Sequence, residues 1–324
     1  MMRLLAAILL IASGARAQFK STVPLVVSPA TVTDAKGHYV DGLEAKDLVL
    51  YDNNVPQPIQ IDYELYPISL AVVVQNSDNS QAMLDKLGRS GILFSQLLAG
   101  DAGETAVLSF SNDVQVEQDF TTEPEDLVHA MRTLKVRGDG AVTLDAVMEA
   151  LRMLGKRPAN RRKIILMIAE KRVRSATVNL QDVVLEVQRQ NALIYWLTYS
   201  PTLTQFTARP KTMNCDKFGK NCELAPSTAG PMNIVAGLAE LYHLSKPDVS
   251  ELFSKATGAR TINFLKRSGL EDAITSVGEE VHRQYILTFQ PSGGAPGKFH
   301  TIRVEVVGRP DLQARARAGY WTVQ

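Results

Sequence analysis

The chain contains a series of continuous apolar segments separated by amphipathic ones. The segments SLAVVVQ, TAVLSFS, KIILMIA and ALIYWLTYS carry little charge, and stretches with apolar residues at helical spacing lie between them. A strand that is apolar at nearly every position is buried on both faces, which is typical of a parallel sheet covered by helices. We therefore predict a doubly wound α/β domain with a mainly parallel sheet.

Both ends of the chain have a different pattern, made of short alternating segments and turns. Residues 18–66 include VVSPATVTD, KDLVLYDNN and PQPIQIDYELY, and residues 284–324 include YILTFQP, FHTIRVEVVG and LQARARAGYW. Such segments indicate short strands, some of them half-exposed. The simplest topology joins the two ends in one small β unit. The α/β domain, residues 67–283, then lies between them and carries an inserted loop at residues 201–231.

The first seventeen residues, MMRLLAAILLIASGARA, have the pattern of an export signal. One arginine precedes a short apolar core, and Ala15, Arg16 and Ala17 fit the small-residue cleavage pattern. The apolar core is too short to span a bilayer as a helix, and no later run approaches the needed length. We expect a soluble protein, secreted or periplasmic, without a membrane span.

The only two cysteines, Cys215 and Cys222, lie close together in the segment NCDKFGKNC. In an oxidising compartment this spacing favours a local disulfide, and a zinc site would need two further ligands. The neighbouring aromatic residues Tyr199, Phe206 and Phe218 have two interpretations. They are either anchors of an interface or side chains that pack over the edge of the sheet.

The charge balance argues against nucleic acid as a partner. The formal net charge is +1, and the densest basic run is KRPANRRK, from Lys156 to Lys163. Nucleic-acid binding needs a strongly basic domain or face. Because this run stands between a predicted helix and a predicted strand, we interpret it as a solvated loop.

Signatures of common enzyme classes are absent from the sequence. It contains no H-E-x-x-H, no G-x-S-x-G, no Walker glycine loop and no C-x-x-C. Its histidines are scattered over turn, helix and strand contexts; they are His38, His129, His243, His282 and His300. A Ser/His/Asp arrangement can still assemble in space from distant residues, so a hydrolase stays as a rival hypothesis.

Three loops follow apolar strands or precede helices where a doubly wound sheet has its binding edge. They are QNSDNS after the first apolar strand, VRGDGAVTLD before a helix, and AEKRVRS after KIILMI. Asp145 in the second loop is expected to stabilise the start of its own helix. The candidate binding residues are Gln75, Asn76, Ser77, Asp78, Asn79, Gly140, Ala141, Thr143 and Glu170.

The order of these motifs resembles the von Willebrand factor type A domain. A strand leads into x-N-S-x-N-S, a glycine-rich loop runs into TLDAV, and a third loop follows a strongly apolar strand. More narrowly, the chain resembles the exported von Willebrand factor A-related proteins of acidobacteria. That resemblance rests on ATVTDAKGHYVDGLEAKDLVLYDNNVPQPI near one end, and on QYILTFQP, GKFHTIRVEV and RARAGYW near the other.

The resemblance also implies a metal site, because type A domains usually bind a divalent cation through D-x-S-x-S, a threonine and an aspartate. Here Gln75 stands at the first aspartate, Ser77 and Asn79 stand at the two serines, Ala141 at the threonine, and Glu170 at or beside the second aspartate. Two of these replacements are neutral, which argues against tight Mg²⁺ binding. We expect a degenerate site and no cofactor. In the alternative, Ca²⁺ or Mg²⁺ binds weakly to Gln75, Ser77, Asp78 and Glu170.

The sequence and the resemblance together predict an exported, non-enzymatic module. It binds an unidentified protein or extracellular polymer through these loops without needing a metal. One rival is a divalent-cation-dependent adhesion module with the altered ligand set, and a second is a hydrolase of the cell envelope.

Overall fold

The structure is a computed structural model that describes residues 25–62, 66–94, 99–100, 102–170, 177–199, 248–264, 267–291 and 297–322. The predicted export signal, the inserted loop, the cysteine pair, Phe206 and Phe218 lie outside these residues. In the described part of the chain, no helix is long and apolar enough to cross a membrane.

The strands in chain order are β1 (Val26–Thr33), β2 (Leu48–Asp52), β3 (Val55–Gln57), β4 (Ile59–Asp62), β5 (Ile68–Gln75), β6 (Glu104–Phe110), β7 (Val114–Thr121), β8 (Arg162–Ala169), β9 (Leu193–Thr198), β10 (Thr261–Asn263), β11 (Tyr285–Phe289), β12 (Phe299–Val306), β13 (Gln313–Ala316) and β14 (Gly319–Trp321). The α-helices are α1 (Gln81–Leu93), α2 (Pro124–Thr133), α3 (Thr143–Gly155), α4 (Leu180–Arg189), α5 (Val249–Thr257) and α6 (Arg267–His282). A short 3-10 turn, Ala45–Asp47, precedes β2.

A six-stranded sheet in the order β10–β9–β8–β5–β6–β7 forms the centre of the α/β part. Its strands are parallel except β7, which pairs antiparallel with β6 in a hairpin that turns near Asn112 and Asp113. Every residue of β5, β6 and β9 is buried. The continuous apolar segments are therefore central strands, which confirms the predicted mainly parallel α/β sheet.

Helices cover both faces of this sheet. Side chains of α1, α2 and α6 share one core with Leu70 and Val72 of β5. Side chains of α3, α4 and α5 share a second core with Ala71 and Val73 of the same strand. Because successive side chains of a strand point to opposite faces, a strand between two helical layers must be apolar at every position.

The two ends of the chain form one antiparallel β sandwich. One sheet has the order β13–β1–β11–β4 and the other the order β14–β12–β2–β3. Both sheets combine strands from the two ends of the chain, as in the pairs β1–β11 and β2–β12. Val32, Leu50, Leu287 and Val304 pack between the sheets. The predicted β unit of N-terminal and C-terminal segments is thus confirmed.

The α/β part and the sandwich meet at a group that we call the junction cluster: Tyr195, Arg260, Glu280 and Arg315. Glu280 of α6 is buried, lies 2.7 Å from Arg260 Nε, and forms a second ion pair with Arg315 of β13. Tyr195 of β9 donates a hydrogen bond of 2.8 Å to the same carboxylate. Burial, reinforced by Glu280, raises the pKa of Tyr195 well above its ordinary value. A buried carboxylate thereby links helix, central sheet and sandwich.

The basic run before β8 is not a solvated loop, so that interpretation was wrong for its arginines. Arg157 Nε donates a 2.7 Å hydrogen bond to Glu104 Oε1, and Arg161 Nε lies 3.1 Å from the same oxygen. Burial acts to raise the pKa of Glu104, but the hydrogen bonds from Arg157 and Ser69 and the positive charge of Arg161 lower it overall. The arginines stay half-buried because Glu104 supplies the counter-charge.

Candidate functional site

The carboxyl edge of the central sheet brings the first two predicted loops into direct contact. The Arg137 backbone N–H donates to Asn76 O at 2.7 Å, and the Asp78 N–H donates to Gly138 O at 3.0 Å. The Asn76 side chain adds a third link, because its Nδ2 donates to Lys135 O at 3.0 Å. Parallel strands end at the same edge of a sheet, so loops distant in sequence meet here.

Gln75 joins the first loop to the third, and its side chain is buried. Its Oε1 accepts a 2.9 Å hydrogen bond from the Glu170 backbone N–H, and its Nε2 donates a 2.8 Å hydrogen bond to Ser77 Oγ. Ser77 and Glu170 are themselves buried. Both ends of the amide are therefore used inside the protein. We call this arrangement of Gln75, Ser77 and Glu170 the glutamine bridge.

The second loop contributes backbone and apolar packing at this edge. Ala141 is fully buried in the core under α3. Thr143 begins α3, is also buried, and donates from its hydroxyl to Ala141 O at 3.3 Å. Gly140 lies tightly against Asn112, since a Cβ at this position would stand 2.1 Å from Asn112 Oδ1. A larger residue at Gly140 would displace the Asn112 side chain and crowd the Asn112 Cα, which would lie 3.1 Å from the added Cβ.

The tips of the loops carry the charges that reach solvent. Asp78 is exposed and Asn79 is half-buried in the first loop, and Arg137 and Asp139 are exposed in the second. Gly140 is half-buried between them. The structure thus separates the predicted residues into a buried base, formed by Gln75, Asn76, Ser77, Ala141, Thr143 and Glu170, and an exposed rim.

Asp145 stands near the start of its own helix, where the sequence placed it, and its carboxylate also bonds a second segment of the chain. Its carboxylate accepts hydrogen bonds from the Thr177 backbone N–H, at 3.0 Å for Oδ2, and from the Thr177 hydroxyl. Asp145 stands in the first turn of α3, and its side chain turns toward the segment before α4. A backbone amide of another segment competes for the carboxylate, a partner that local sequence cannot reveal.

Tyr199 packs over the edge of the sheet, which is one of its two predicted roles. Its side chain is buried, its ring lies against that of Phe264, and its hydroxyl is 2.9 Å from Ser80 Oγ. Ser80, directly before α1, was not among the predicted site residues. Its only signal in the sequence is its place at the end of QNSDNS, before the amphipathic segment.

His38 and His300 contact carboxylates, whereas the histidine of a hydrolase triad also contacts a serine or cysteine. His38 Nδ1 lies 3.1 Å from Asp34 Oδ2 in an exposed turn. His300 Nδ1 lies 2.7 Å from Asp52 Oδ1 and 3.3 Å from the Tyr320 hydroxyl, inside the sandwich. These partners are carboxylates and a phenol.

Across the described ranges, no group of three or more His, Cys, Asp or Glu side chains is arranged to hold a metal ion.

Residues 70–171 of the chain match the family model of the von Willebrand factor type A domain. Among solved structures, the VWA domain of SpRpn10 is similar with 12% identity and a TM-score of 0.40, covering 65% of this chain and 93% of that one. BatB from Bacteroides thetaiotaomicron is similar with 11% identity and a TM-score of 0.43, and the match covers 65% of this chain and 99% of that one. The von Willebrand domain of the type V pili tip protein Mfa5 from Porphyromonas gingivalis is similar with 10% identity and a TM-score of 0.42. That match covers 68% of this chain and 96% of the other. No curated protein matches the chain.

The matched segment runs from β5 to Lys171, just past the end of β8, and includes the first two loops of the carboxyl edge and the start of the third. Its central strands, flanking helices and loop positions are those that the order of motifs in the sequence predicted. Residues 70–171 of this α/β chain are therefore similar to the von Willebrand factor type A domain.

Proposed function

We propose that this chain is an exported, non-enzymatic binding module that engages a protein or an extracellular polymer through the rim of the carboxyl edge, without a divalent cation. The observation that carries the proposal is the glutamine bridge. A neutral amide joins the first and third loops at the position where the type A resemblance places a metal-ligating aspartate.

The donor set at this edge does not fit Mg²⁺. That ion prefers several oxygen ligands in near-octahedral geometry and gives up its water reluctantly. The Gln75 oxygen already accepts from Glu170 N–H, and the Ser77 oxygen already accepts from Gln75. Ala141 has no side-chain oxygen to offer. A cation that used these two oxygens would compete with buried hydrogen bonds that the fold already makes.

The bridge and the backbone links support binding in another way, because they hold the rim in place. Asp78, Arg137 and Asp139 stand on loops that are joined through Asn76, Gly138 and the bridge. Loops that are ordered before binding lose less conformational entropy when a partner docks. Their charges of both signs would then select a partner by electrostatic complementarity.

The metal-free part of the proposal is tested by thermal unfolding with Mg²⁺, Mn²⁺ or Ca²⁺ against a chelator. We expect the same melting temperature in all four conditions. A melting temperature that rises with one cation, and loses this rise in Gln75→Ala, would overturn the metal-free proposal and favour the cation-dependent module.

The binding part is tested by capture from extracellular and periplasmic fractions with the double variant Asp78→Ala, Asp139→Ala. A matched control is Glu125→Ala, because Glu125 is exposed in the first turn of α2, which follows the far end of β7. Partners recovered by the wild type and the control should be lost from the double variant. Equal recovery by all three proteins would move the site away from the rim.

A further inference from the structure

A basic surface lies at the amino-terminal edge of the central sheet, opposite the rim. Residues 156–161 connect α3 to β8, and Glu104 begins β6 at the same edge. Because β5, β6 and β8 are parallel, their amino ends lie together, away from the three loops of the carboxyl edge. Lys156, Arg157 and Arg161 are the cations of this connection, and we call them the basal surface.

The two arginines of the basal surface share one carboxylate. Arg157 Nε donates to Glu104 Oε1 at 2.7 Å, and its Nη2 donates to Oε2. Arg161 Nε lies 3.1 Å from the same Oε1. One carboxylate balances one guanidinium, so this group keeps an excess positive charge. A further anion would offset the cost of holding the two cations together.

Lys156 adds a second positive charge. Its side chain is exposed and forms no ion pair with any described residue. The carboxylate near it is that of Glu149 on α3, which is already paired with Arg152, whose Nε donates to Glu149 Oε2 at 2.7 Å. The local carboxylates are thus engaged by arginines, and the charge of Lys156 stays available to a ligand.

The packing of Arg157 leaves one edge of its guanidinium open. The ring of Phe120 lies against the guanidinium, 5.0 Å from the ring centroid, and Glu104 takes the edge formed by Nε and Nη2. Among the residues that the structure describes, Nη1 has no hydrogen-bond partner, and it is not buried. The side chain is 33% exposed. A guanidinium edge held in this way can bind two oxygens of a carboxylate or sulfate.

The surroundings of these cations favour a polymer over a bilayer. Pro158, Ala159 and Asn160 are exposed. None of the large hydrophobic side chains that the described residues expose lies in residues 156–161. Binding to a bilayer surface ordinarily buries such side chains among the lipids. Nucleic acid would need a more extensive basic face than a chain with a formal net charge of +1 offers.

From these observations we propose that the basal surface binds an anionic polysaccharide, whose carboxylate or sulfate groups contact the open edge of Arg157 and the ammonium of Lys156. Arg161 acts indirectly, because it shares Glu104 and so leaves Arg157 incompletely neutralised. Successive anions on one polymer bind the two cations separately, and their weak contacts add through effective concentration. A chain bound here leaves the rim, at the opposite edge, open to its own partner.

The ligand class is tested by biolayer interferometry of the immobilised full chain. The probes are dextran sulfate, uncharged dextran of the same length, phosphatidylglycerol vesicles and duplex DNA. We expect dextran sulfate to bind and uncharged dextran not to bind. The affinity for dextran sulfate should fall about tenfold between about 50 and about 200 mM salt, because two contacts release counterions.

Two outcomes of that experiment would overturn the ligand class. Equal responses to dextran sulfate and uncharged dextran would remove the role of charge. Tighter binding of vesicles or of DNA than of dextran sulfate, at equal concentration of anionic groups, would assign the surface to another class of partner.

The position of the site is tested with the double variant Lys156→Gln, Arg157→Gln. Glu104 keeps Arg161 as its counter-charge in this variant, and a melting curve checks the fold. Dextran sulfate should bind the variant at least about tenfold more weakly than the wild type. The matched control is Lys36→Gln, Lys298→Gln, which removes the same charge from exposed positions of the sandwich and should bind as the wild type does.

The single variant Lys156→Gln keeps the proposal testable if the double variant does not fold. It leaves the Glu104 ion pairs in place and should lose about threefold in affinity. Unchanged affinity in Lys156→Gln and in the folded double variant, or an equal loss in the control, would overturn the assignment. The rim variant Asp78→Ala, Asp139→Ala should bind dextran sulfate no more weakly than the wild type, and a loss there would place the polymer at the rim instead.

Discussion

At the carboxyl edge the loops are joined by a neutral amide, whereas at the junction three elements are joined by a buried carboxylate between two arginines. Gln75 satisfies a backbone donor and a hydroxyl acceptor without any charge. Glu280 instead faces Arg260 and Arg315 and accepts from Tyr195 as well. Both groups are buried, and both connect segments that are far apart in sequence.

The two arrangements fail in different ways when one member is removed. A broken neutral bridge leaves unpaired hydrogen-bonding groups, which costs about 1–3 kcal/mol for each buried group. A broken buried ion pair leaves a charge without a counter-charge, which costs about 3–5 kcal/mol. Removing one charged group from the junction cluster should therefore cost more stability than breaking the glutamine bridge. The edge proposed to bind a partner depends on neutral contacts.

Removing the Glu280 carboxylate should have the largest effect on stability. Glu280→Ala leaves two arginine charges and the Tyr195 hydroxyl without their shared acceptor, and we expect a loss of about 3 kcal/mol in the free energy of unfolding. This value is at the low end of the range because the side chains of Arg260 and Arg315 are 31% and 39% exposed and keep part of their hydration. Urea denaturation measures the loss.

The control for that variant is Glu279→Ala, since Glu279 is the neighbouring carboxylate on α6 and is exposed. Its unfolding free energy should stay within about 0.5 kcal/mol of the wild type. Similar losses in the two variants would show that helix α6 itself, and not the junction cluster, determines the effect.

Breaking the glutamine bridge should cost less. Gln75→Ala leaves the buried Glu170 N–H and the Ser77 hydroxyl without the amide, and we expect a loss of about 2 kcal/mol. Gln181→Ala is the control, because Gln181 is exposed on α4 and should change the unfolding free energy by less than about 0.5 kcal/mol. A loss in Gln75→Ala that equals the loss in Glu280→Ala would remove the proposed difference between the two regions.

Lowering the pH should weaken the ion pairs of Glu104 and leave the neutral hydrogen bonds of Gln75 unchanged. The pKa of Glu104 is lowered by hydrogen bonds from Arg157 and Ser69 and by the charge of Arg161, against the opposing effect of burial. A carboxyl with a depressed folded-state pKa stabilises the fold above its unfolded pKa, near 4.5, and that stabilisation is lost as the pH falls through the folded value.

The advantage of the wild type over Glu104→Gln in unfolding free energy should therefore shrink as the pH falls below about 4.5. Over the same range, the deficit of Gln75→Ala should stay constant because the amide does not titrate. Urea titrations at several pH values measure both differences. If the loss of unfolding free energy in Glu104→Gln did not change with pH, Glu104 would stabilise the fold by packing and not by its charge.

The sequence predicted the central strands and the meeting of the loops, because these depend on local periodicity and on a general rule of parallel sheets. It also predicted the pairing of the two chain ends. It could not predict the partners of buried polar side chains. A glutamine after a strand has the same local pattern whether its amide faces a cation or the Glu170 N–H.

The basic run from Lys156 to Lys163 shows the same limit of prediction from sequence. Arg157 and Arg161 look like any charged loop in the sequence, because their counter-charge, Glu104, stands more than fifty residues earlier in the chain. Asp145 bonds Thr177 across a gap of 32 residues. Tertiary contacts decide between a solvated charge and a buried one, and a single sequence does not contain those contacts.

The smallest effect on stability is expected at the rim. Asp78 is exposed, and its backbone N–H would keep its hydrogen bond to Gly138 O in the variant Asp78→Ala. We therefore expect the unfolding free energy to change by no more than about 0.5 kcal/mol, in contrast to Gln75→Ala three residues earlier. The same variant should weaken capture of a partner, since the proposed binding uses the exposed charge. A clear loss of stability in Asp78→Ala would place this aspartate in the base of the site and would contradict the division into a structural base and a binding rim.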